Sequence, residues 1–280
     1  MTLLRDLATE QTNPRSTKLD QLSVPELLRV INREDARVAA AVSRAIPSIA
    51  KAVAAISLKL KNGGRLFYIG AGTSGRLGCL DASEMPPTYG VKPTLIQGII
   101  AGGKKALTRS QEGAEDDAKA GLADIRSRKI STADAVVGLS VSGRARYVRV
   151  ALNEARRRGA FTVCITCNRN SLLIPCADVA IVVETGPEVV TGSTRMKAGT
   201  AQKMILNMIS TATMVQLGRV KGNQMLYLQI KCDKLQERAV NLVIDQTGVT
   251  PQKARRALKA AKGSVRAAIA ALCMGRADRT

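Results

Sequence analysis

The 280 residues contain no histidine, so any proton transfer must fall to carboxylates, lysines, tyrosines or cysteines. Histidine-dependent triads, imidazole bases and histidine metal ligands are excluded with it. The stretch with the most chemical potential is 65–84. An apolar run, Leu66 to Ile69, has the length and side chains of a buried strand. Gly70, Gly72 and Gly75 then supply a turn that can take positive φ and bring backbone close to a ligand. Thr73 and Ser74 add hydroxyls, and Arg76 a cation, beside the N–H groups of a helix predicted to start near Gly75. That combination is a ready seat for a phosphate. Glu84 follows about one helix length later, before Pro86 and Pro87, which are expected to stop the helix.

Gly70, Gly72 and Gly75 also satisfy the spacing of a dinucleotide-binding turn. That reading needs an acid at the end of the next strand to hold a ribose. The next strand candidate, Thr94 to Ile100, runs into Ala101-Gly102-Gly103 with no acid. A phosphate monoester is therefore favoured over a dinucleotide. Two further hydroxyl-rich loops accompany the first. Ser140-Val141-Ser142-Gly143-Arg144 precedes a helix, and residues 186–200 hold Ser193, Thr194, Arg195 and Lys197. Glu112, Glu115, Asp116 and Asp117 crowd what reads as the opening of another helix, where acids suit the macrodipole.

The elements that must position these groups alternate between strand and helix. Strands are predicted at 66–69, 94–100, 135–139, 161–166 and 179–183, with helices between them. This predicts an α/β fold with a doubly wound parallel sheet, its ligand held at the carboxyl ends of the strands. Ser23, Pro25 and Glu26 open a capped helix, and a long second helix is expected over 35–61. Another long apolar helix, 198–217, reads as a core or subunit-interface element. A helix from about 224 to 245 and two short helices over 250–274, broken at Lys262-Gly263-Ser264, predict a small C-terminal helical bundle. Residues 1–222 and 223–280 are read as the two parts of the chain, with 275–280 frayed.

Composition narrows the function classes. Mean hydropathy is near zero and no run of about 18 apolar residues occurs, so no membrane span is expected. The first residues lack a signal-peptide core, and a cytoplasmic enzyme is the expectation. The six cysteines have no paired finger spacing, and Cys164 and Cys167 should face opposite sides of a strand. They read as reduced thiols, with no metal and no cofactor. The net charge of +21 is spread along the chain, and aromatics make up only 2%. Little is available for stacking bases, so nucleic acid is not the expected partner despite that charge.

Several longer strings resemble one family. Ile-Gly-Ala-Gly-Thr-Ser-Gly-Arg-Leu-Gly at 69–78, Asp-Ala-Ser-Glu at 81–84, Glu-Gly-Ala-Glu-Asp at 112–116 and Thr-Gly-Ser-Thr-Arg-Met-Lys-Ala-Gly-Thr-Ala-Gln-Lys at 191–203 are similar to N-acetylmuramic acid 6-phosphate etherases. The resemblance runs from Thr9 to about Met274. It implies a sugar isomerase (SIS) domain of flavodoxin-like topology, a small ubiquitin-associated-like helical end, and a cytoplasmic homodimer acting on a phosphorylated amino sugar. The implied reaction is cleavage of a lactyl ether by elimination and water addition. By the same resemblance Glu84 matches the family's proton donor and Glu115 its second catalytic acid. Gly72, Thr73, Ser74, Ser142, Gly143, Arg144, Ser193, Thr194 and Lys197 would bind substrate. The family's Ser-Gly-Arg-Thr-Pro-Tyr is replaced here by Ser-Gly-Arg-Ala145-Arg146-Tyr147, losing a hydroxyl and gaining a charge. A non-catalytic phosphosugar sensor, like the glucokinase regulatory protein, is the alternative of the same fold.

Overall fold

Five strands form one parallel sheet: β1 (Leu66–Gly70), β2 (Ile96–Ile100), β3 (Ala135–Leu139), β4 (Phe161–Thr166) and β5 (Val179–Val182), in the spatial order β2-β1-β3-β4-β5. The computed structural model describes residues 6–228, 230 and 233–277. Gly70 at the end of β1 is level with Ile100 of β2 and Leu139 of β3. The carboxyl ends of the three strands therefore open on one edge. All five residues of β1 and of β3 are buried, as fits strands covered on both faces. On one face Phe67, Ile69 and Val136 pack with Val148, Ala151 and Leu152 of helix α6 (Arg146–Arg157). On the other, α4 (Gly72–Tyr89) lies so close that a Cβ on its Gly78 would meet the Tyr68 side chain at 2.9 Å.

By internal contacts the chain divides into two compact units, Met1–Ser83 with Thr94–Thr213, and Glu84–Pro93 with Met214–Thr280. The remaining helices of the first unit are α1 (Val24–Asp35), α2 (Val38–Arg44), α3 (Ile46–Lys61), α5 (Ala118–Ser127) and most of α7 (Lys197–Gln216). In the second, α8 (Asp233–Thr247), α9 (Pro251–Ala260) and α10 (Val265–Ala277) share a core of Val240, Val243, Ala254, Leu258, Val265 and Ala268. The Thr250 hydroxyl caps α9 by accepting from the Lys253 N–H at 3.4 Å. Among the described residues no single helix is long and apolar enough to cross a membrane.

Several boundaries differ from the sequence reading. The single helix expected over 35–61 is broken between Arg44 and Ile46. Pro47 lacks an N–H and its ring crowds the carbonyl four residues back, so α3 begins afresh with Pro47 in its first turn. Conversely, α4 runs through Pro86 and Pro87 to Tyr89. The two missing N–H groups fall in the last turn, which Gly90 (φ +62°) closes by donating to the Pro86 carbonyl at 3.0 Å. The helix expected from 224 begins instead at Asp233; before it, Leu226 in a turn and Leu228 in irregular chain are buried in the small core. Cys164 and Cys167 do separate to different clusters, and burial pushes both thiols up to about 12. Cys232 and residues 278–280 lie outside the described residues.

Leu152 is fully buried between α6 and β3. Leu152→Ala should cost about 2–5 kcal/mol through lost transfer energy and a residual cavity. Calorimetry should show a midpoint lower by roughly 4 °C or more; an unchanged midpoint would contradict the packing described.

Candidate active site

Only Ala71 separates the end of β1 from the start of α4, so the strand runs straight into the helix. The tight joint depends on two glycines lying back to back. A Cβ on Gly70 would stand 2.7 Å from the Gly75 nitrogen, and one on Gly75 would stand 2.7 Å from the Gly70 carbonyl oxygen. Gly72 takes φ +53°, which a side chain would strain. The helix thus starts three residues earlier than expected, and Gly72, Thr73 and Ser74 form its first turn. The N–H groups of that turn have no carbonyl within the helix, and the positive end of the helix dipole lies at the cavity that Gly72, Thr73 and Ser74 line.

The turn after β3 is built from hydroxyls. The Gly143 N–H donates to the carbonyl and side-chain oxygens of Ser140, at 3.2 and 3.1 Å, and the Arg144 N–H donates to the Ser142 hydroxyl at 3.2 Å. Three donors converge on the Val141 carbonyl: the Cys167 N–H, the Thr166 hydroxyl and the Asn168 amide, at 3.0, 3.1 and 2.9 Å. Gly143 has φ +72° and no room for a side chain, because a Cβ there would overlap the Ser171 hydroxyl.

These turns enclose a cavity of about 190 Å³ walled by Gly72, Thr73, Ser74, Ser140, Ser142 and Thr194, with Glu115 at its edge. A second cavity of about 210 Å³ adjoins it, lined by Arg76, Ser110, Gln111, Glu112 and, again, Gly72 and Glu115. The exposed Glu115 therefore stands between the two. It lies in a short 3₁₀ turn, Ala114–Asp116, ahead of α5 rather than in its first turn as expected. Asp117 supplies the α5 cap, accepting from the Ala120 N–H at 2.9 Å. Ala114 fixes the turn by packing on the core.

The candidate binding residues do not all converge. Gly72, Thr73, Ser74, Ser142 and Thr194 meet in the first cavity, with Gly143 and Ser193 adjoining in sequence. The Ser74 hydroxyl donates to Gln202 of α7 at 2.8 Å, so its proton is spent on joining α7 to α4. Lys197 is 1% exposed, with its ammonium 2.6 Å from Glu34, and does not line the cavity. Arg144 is half-buried beside the second turn. Glu84 is exposed, twelve residues beyond Gly72 on α4, and lines neither cavity that holds Glu115. Ser140 and Gln202 were missed by sequence reasoning. A hydroxyl directly after a strand and a lone amide in an apolar helix were the available signals. Of the two changed residues, Ala145 lines the cavity and Arg146 is exposed, so the lost hydroxyl bears on the site and the added charge goes to solvent.

A buried ionic network holds the loop that carries Thr194. Glu34 accepts from Lys197, Arg15 and Asn13, and Asn13 also donates to the Pro187 carbonyl at 3.2 Å. Glu188 receives the Lys197 and Ala198 N–H groups, both at 2.9 Å, and so caps α7. Burial pushes the Glu188 carboxyl above its ordinary value despite those bonds.

Comparison with known proteins accords with this architecture. The chain matches the "SIS domain" family over residues 119–212, the "Glucokinase regulatory protein N-terminal SIS domain" over 48–156 and the "HYPK UBA domain" over 234–273. A protein of Symbiobacterium thermophilum named N-acetylmuramic acid 6-phosphate etherase is 53% identical, over 97% of this chain and 90% of its own. One of the same name from Mycolicibacterium smegmatis is 50% identical, over 97% and 91%. Among solved structures, phosphoheptose isomerase GmhA from Neisseria gonorrhoeae is 16% identical with a TM-score of 0.52, covering 70% of this chain and all of its own. An E. coli CFT073 protein solved in complex with a ligand is 15% identical with a TM-score of 0.52, covering 72% and 97%. At such identities the two structures show a shared fold alone.

The ionic network gives a pH-dependent test. Burial raises the Glu34 carboxyl, but the bonds from Arg15, Lys197 and Asn13 outweigh it and hold the group at about 2. A depressed carboxylate stabilises the fold above its unfolded value near 4.5 and loses that contribution as pH falls through 2. Glu34→Gln should therefore be less stable than wild type by a constant margin above pH ~5, and the margin should shrink toward pH ~2. Urea unfolding across that range measures it; a margin independent of pH would show that the charge of Glu34 does not hold the loop.

Proposed function

The chain belongs to the N-acetylmuramic acid 6-phosphate etherase family, and from that membership we propose how its site carries out the reaction. It is a carbon–oxygen lyase of amino-sugar metabolism. In the proposed complex the 6-phosphate sits against the first turn of α4, among the hydroxyls of Thr73, Ser142 and Thr194. The sugar extends along the cavity toward Glu115. In the ring-opened aldehyde the C2 hydrogen is acidic because it lies α to the carbonyl. Glu115 takes that proton as the C2–C3 double bond forms. The C3–oxygen bond breaks with its electron pair, and the leaving D-lactate oxygen takes a proton from a second acid, Glu84 by its match to the family motif. Water then adds at C3, C2 is reprotonated, and N-acetylglucosamine 6-phosphate results. The first turn of α4 fixes one end of the substrate so that the reacting carbons meet a positioned carboxylate.

The observation that carries this reading is Glu115 on the wall of a hydroxyl-lined cavity at the start of α4. The glucokinase regulatory protein match covers only residues 48–156, whereas etherase relatives align along nearly the whole chain. The enzyme reading therefore stands over that of a sensor. A homodimer in the cytoplasm is part of the proposal.

Incubation with N-acetylmuramic acid 6-phosphate should release D-lactate. Glu115→Gln should lower kcat by at least about tenfold, the low end for loss of acid–base help. Wild-type turnover in that variant would remove Glu115 from the mechanism, and no lactate from the wild-type protein would defeat the function itself.

A further inference from the structure

Two cavities meet at Glu115, and the proposed phosphate seat occupies only one of them. The other, of about 210 Å³, lies between the start of α4 and the loop that follows β2. All of its lining belongs to the first compact unit. That lining holds two carboxylates, Glu112 and Glu115, and a single cation, Arg76.

Arg76 is built into this wall. It is half-buried and one turn beyond Gly72, about 6 Å along the helix. Its Nε donates to the Leu107 carbonyl at 3.1 Å, which holds the guanidinium in place. Among the described residues it makes no ion pair, although Glu112 and Glu115 line the same cavity. The Glu112 carboxylate accepts instead from the Ser110 hydroxyl at 2.9 Å. The two terminal nitrogens of Arg76 therefore keep the parallel N–H donors that match a carboxylate. The loop opposite is closely packed: the Gln111 amide donates to the Ser110 carbonyl at 2.9 Å, and a Cβ on Gly102 (φ +82°) would meet the Gln111 side chain at 2.9 Å.

The substrate of the proposed reaction has two anionic ends. One is the phosphate on C6. The other is the carboxylate of the lactyl arm, separated from C3 only by the ether oxygen and one carbon. With the phosphate at the first turn of α4 and C2 facing Glu115, the lactyl arm extends past Glu115 into the second cavity. Two carboxylates there repel a third, so the guanidinium is the one place where it can be held.

We propose that Arg76 seats the lactyl carboxylate, and that the second cavity is the subsite that selects an acidic ether arm. The inference rests on the proposed etherase reaction and names what the site recognises at the end remote from the phosphate. It assigns Arg76 to the second anion instead of to the phosphate, beside which the sequence alone would place it. An uncharged arm of the same size would leave the guanidinium desolvated without a partner, and would be rejected for that reason.

Titration calorimetry on Glu115→Gln chains, in which turnover is suppressed, tests this with two sugars. N-acetylmuramic acid 6-phosphate carries both anions, and the product N-acetylglucosamine 6-phosphate carries the phosphate alone. Adding Arg76→Gln should weaken binding of the first by at least about tenfold, the scale of a lost charge-assisted pair, and leave the second unchanged. Unchanged affinity for the first would overturn the proposal. So would an equal loss for both, which would return Arg76 to the phosphate or to the fold. A second arm keeps Arg76 in place and changes the ligand. The Glu115→Gln chain should bind the substrate's carboxamide at least about tenfold more weakly than the free acid, and equal affinity for the two would again overturn the proposal. Binding of neither phosphorylated sugar before Arg76 is altered would defeat the etherase reading itself, and the proposal with it.

Discussion

Backbone lies on backbone where β1 enters α4, and the site depends on that contact. Gly70 and Gly75 touch at a distance that no side chain allows. The helix can therefore start one residue after the strand, with its first N–H groups at the carboxyl edge of the sheet. Any residue larger than glycine would push the helix away from the strand and move the first turn of α4 with it. The sheet order then decides what stands opposite. Successive connections leave β1 in one direction and reach β3 in the other, so the crevice opens between those two strands. The hydroxyl turn after β3 and Glu115 ahead of α5 both face that crevice.

Charge is arranged so that buried ions support the site without entering it. Lys197 belongs to a loop rich in hydroxyls, and its side chain is directed into the protein toward Glu34. Glu188 neutralises the N-terminus of α7. The loop between them presents Thr194 to the cavity, held from behind by ions that do not line it. Asp81 plays a comparable part on α4, bonded to Asn207 and Ser210 of α7, and burial raises its carboxyl. Helices α4 and α7 are thus tied together by polar groups deep in an otherwise apolar layer. An unpaired partner in such a layer would carry the full cost of its desolvation.

Much of this was legible in the sequence, because strands flanked by glycine and hydroxyl turns leave strong local signals. All five strands fell within a residue or two of their predicted limits, and the Ser23 capping box formed as its spacing required. The misreadings have local causes. Pro47 was hidden within an apolar periodicity that continued across it. Pro86 and Pro87 were given more weight than the last turn of a helix allows. Leu226 and Leu228 have the look of a helical face but are buried from a turn and irregular chain. At the site, spacing identified the turns but not the direction of each side chain. Lys197 and Ser74 stand in binding motifs and spend their polar groups on protein partners. Glu84 stands in a motif whose distance from the cavity emerges only when helical rise is counted.

The central claim is that the first turn of α4 seats a phosphate and thereby brings the sugar to Glu115. Titration calorimetry on the Glu115→Gln variant tests it most directly, because binding can be read without turnover. The account predicts that N-acetylmuramic acid 6-phosphate binds at least about tenfold more tightly than the unphosphorylated sugar, as charge-assisted bonds to a phosphate should give. Equal affinity for the two would contradict it.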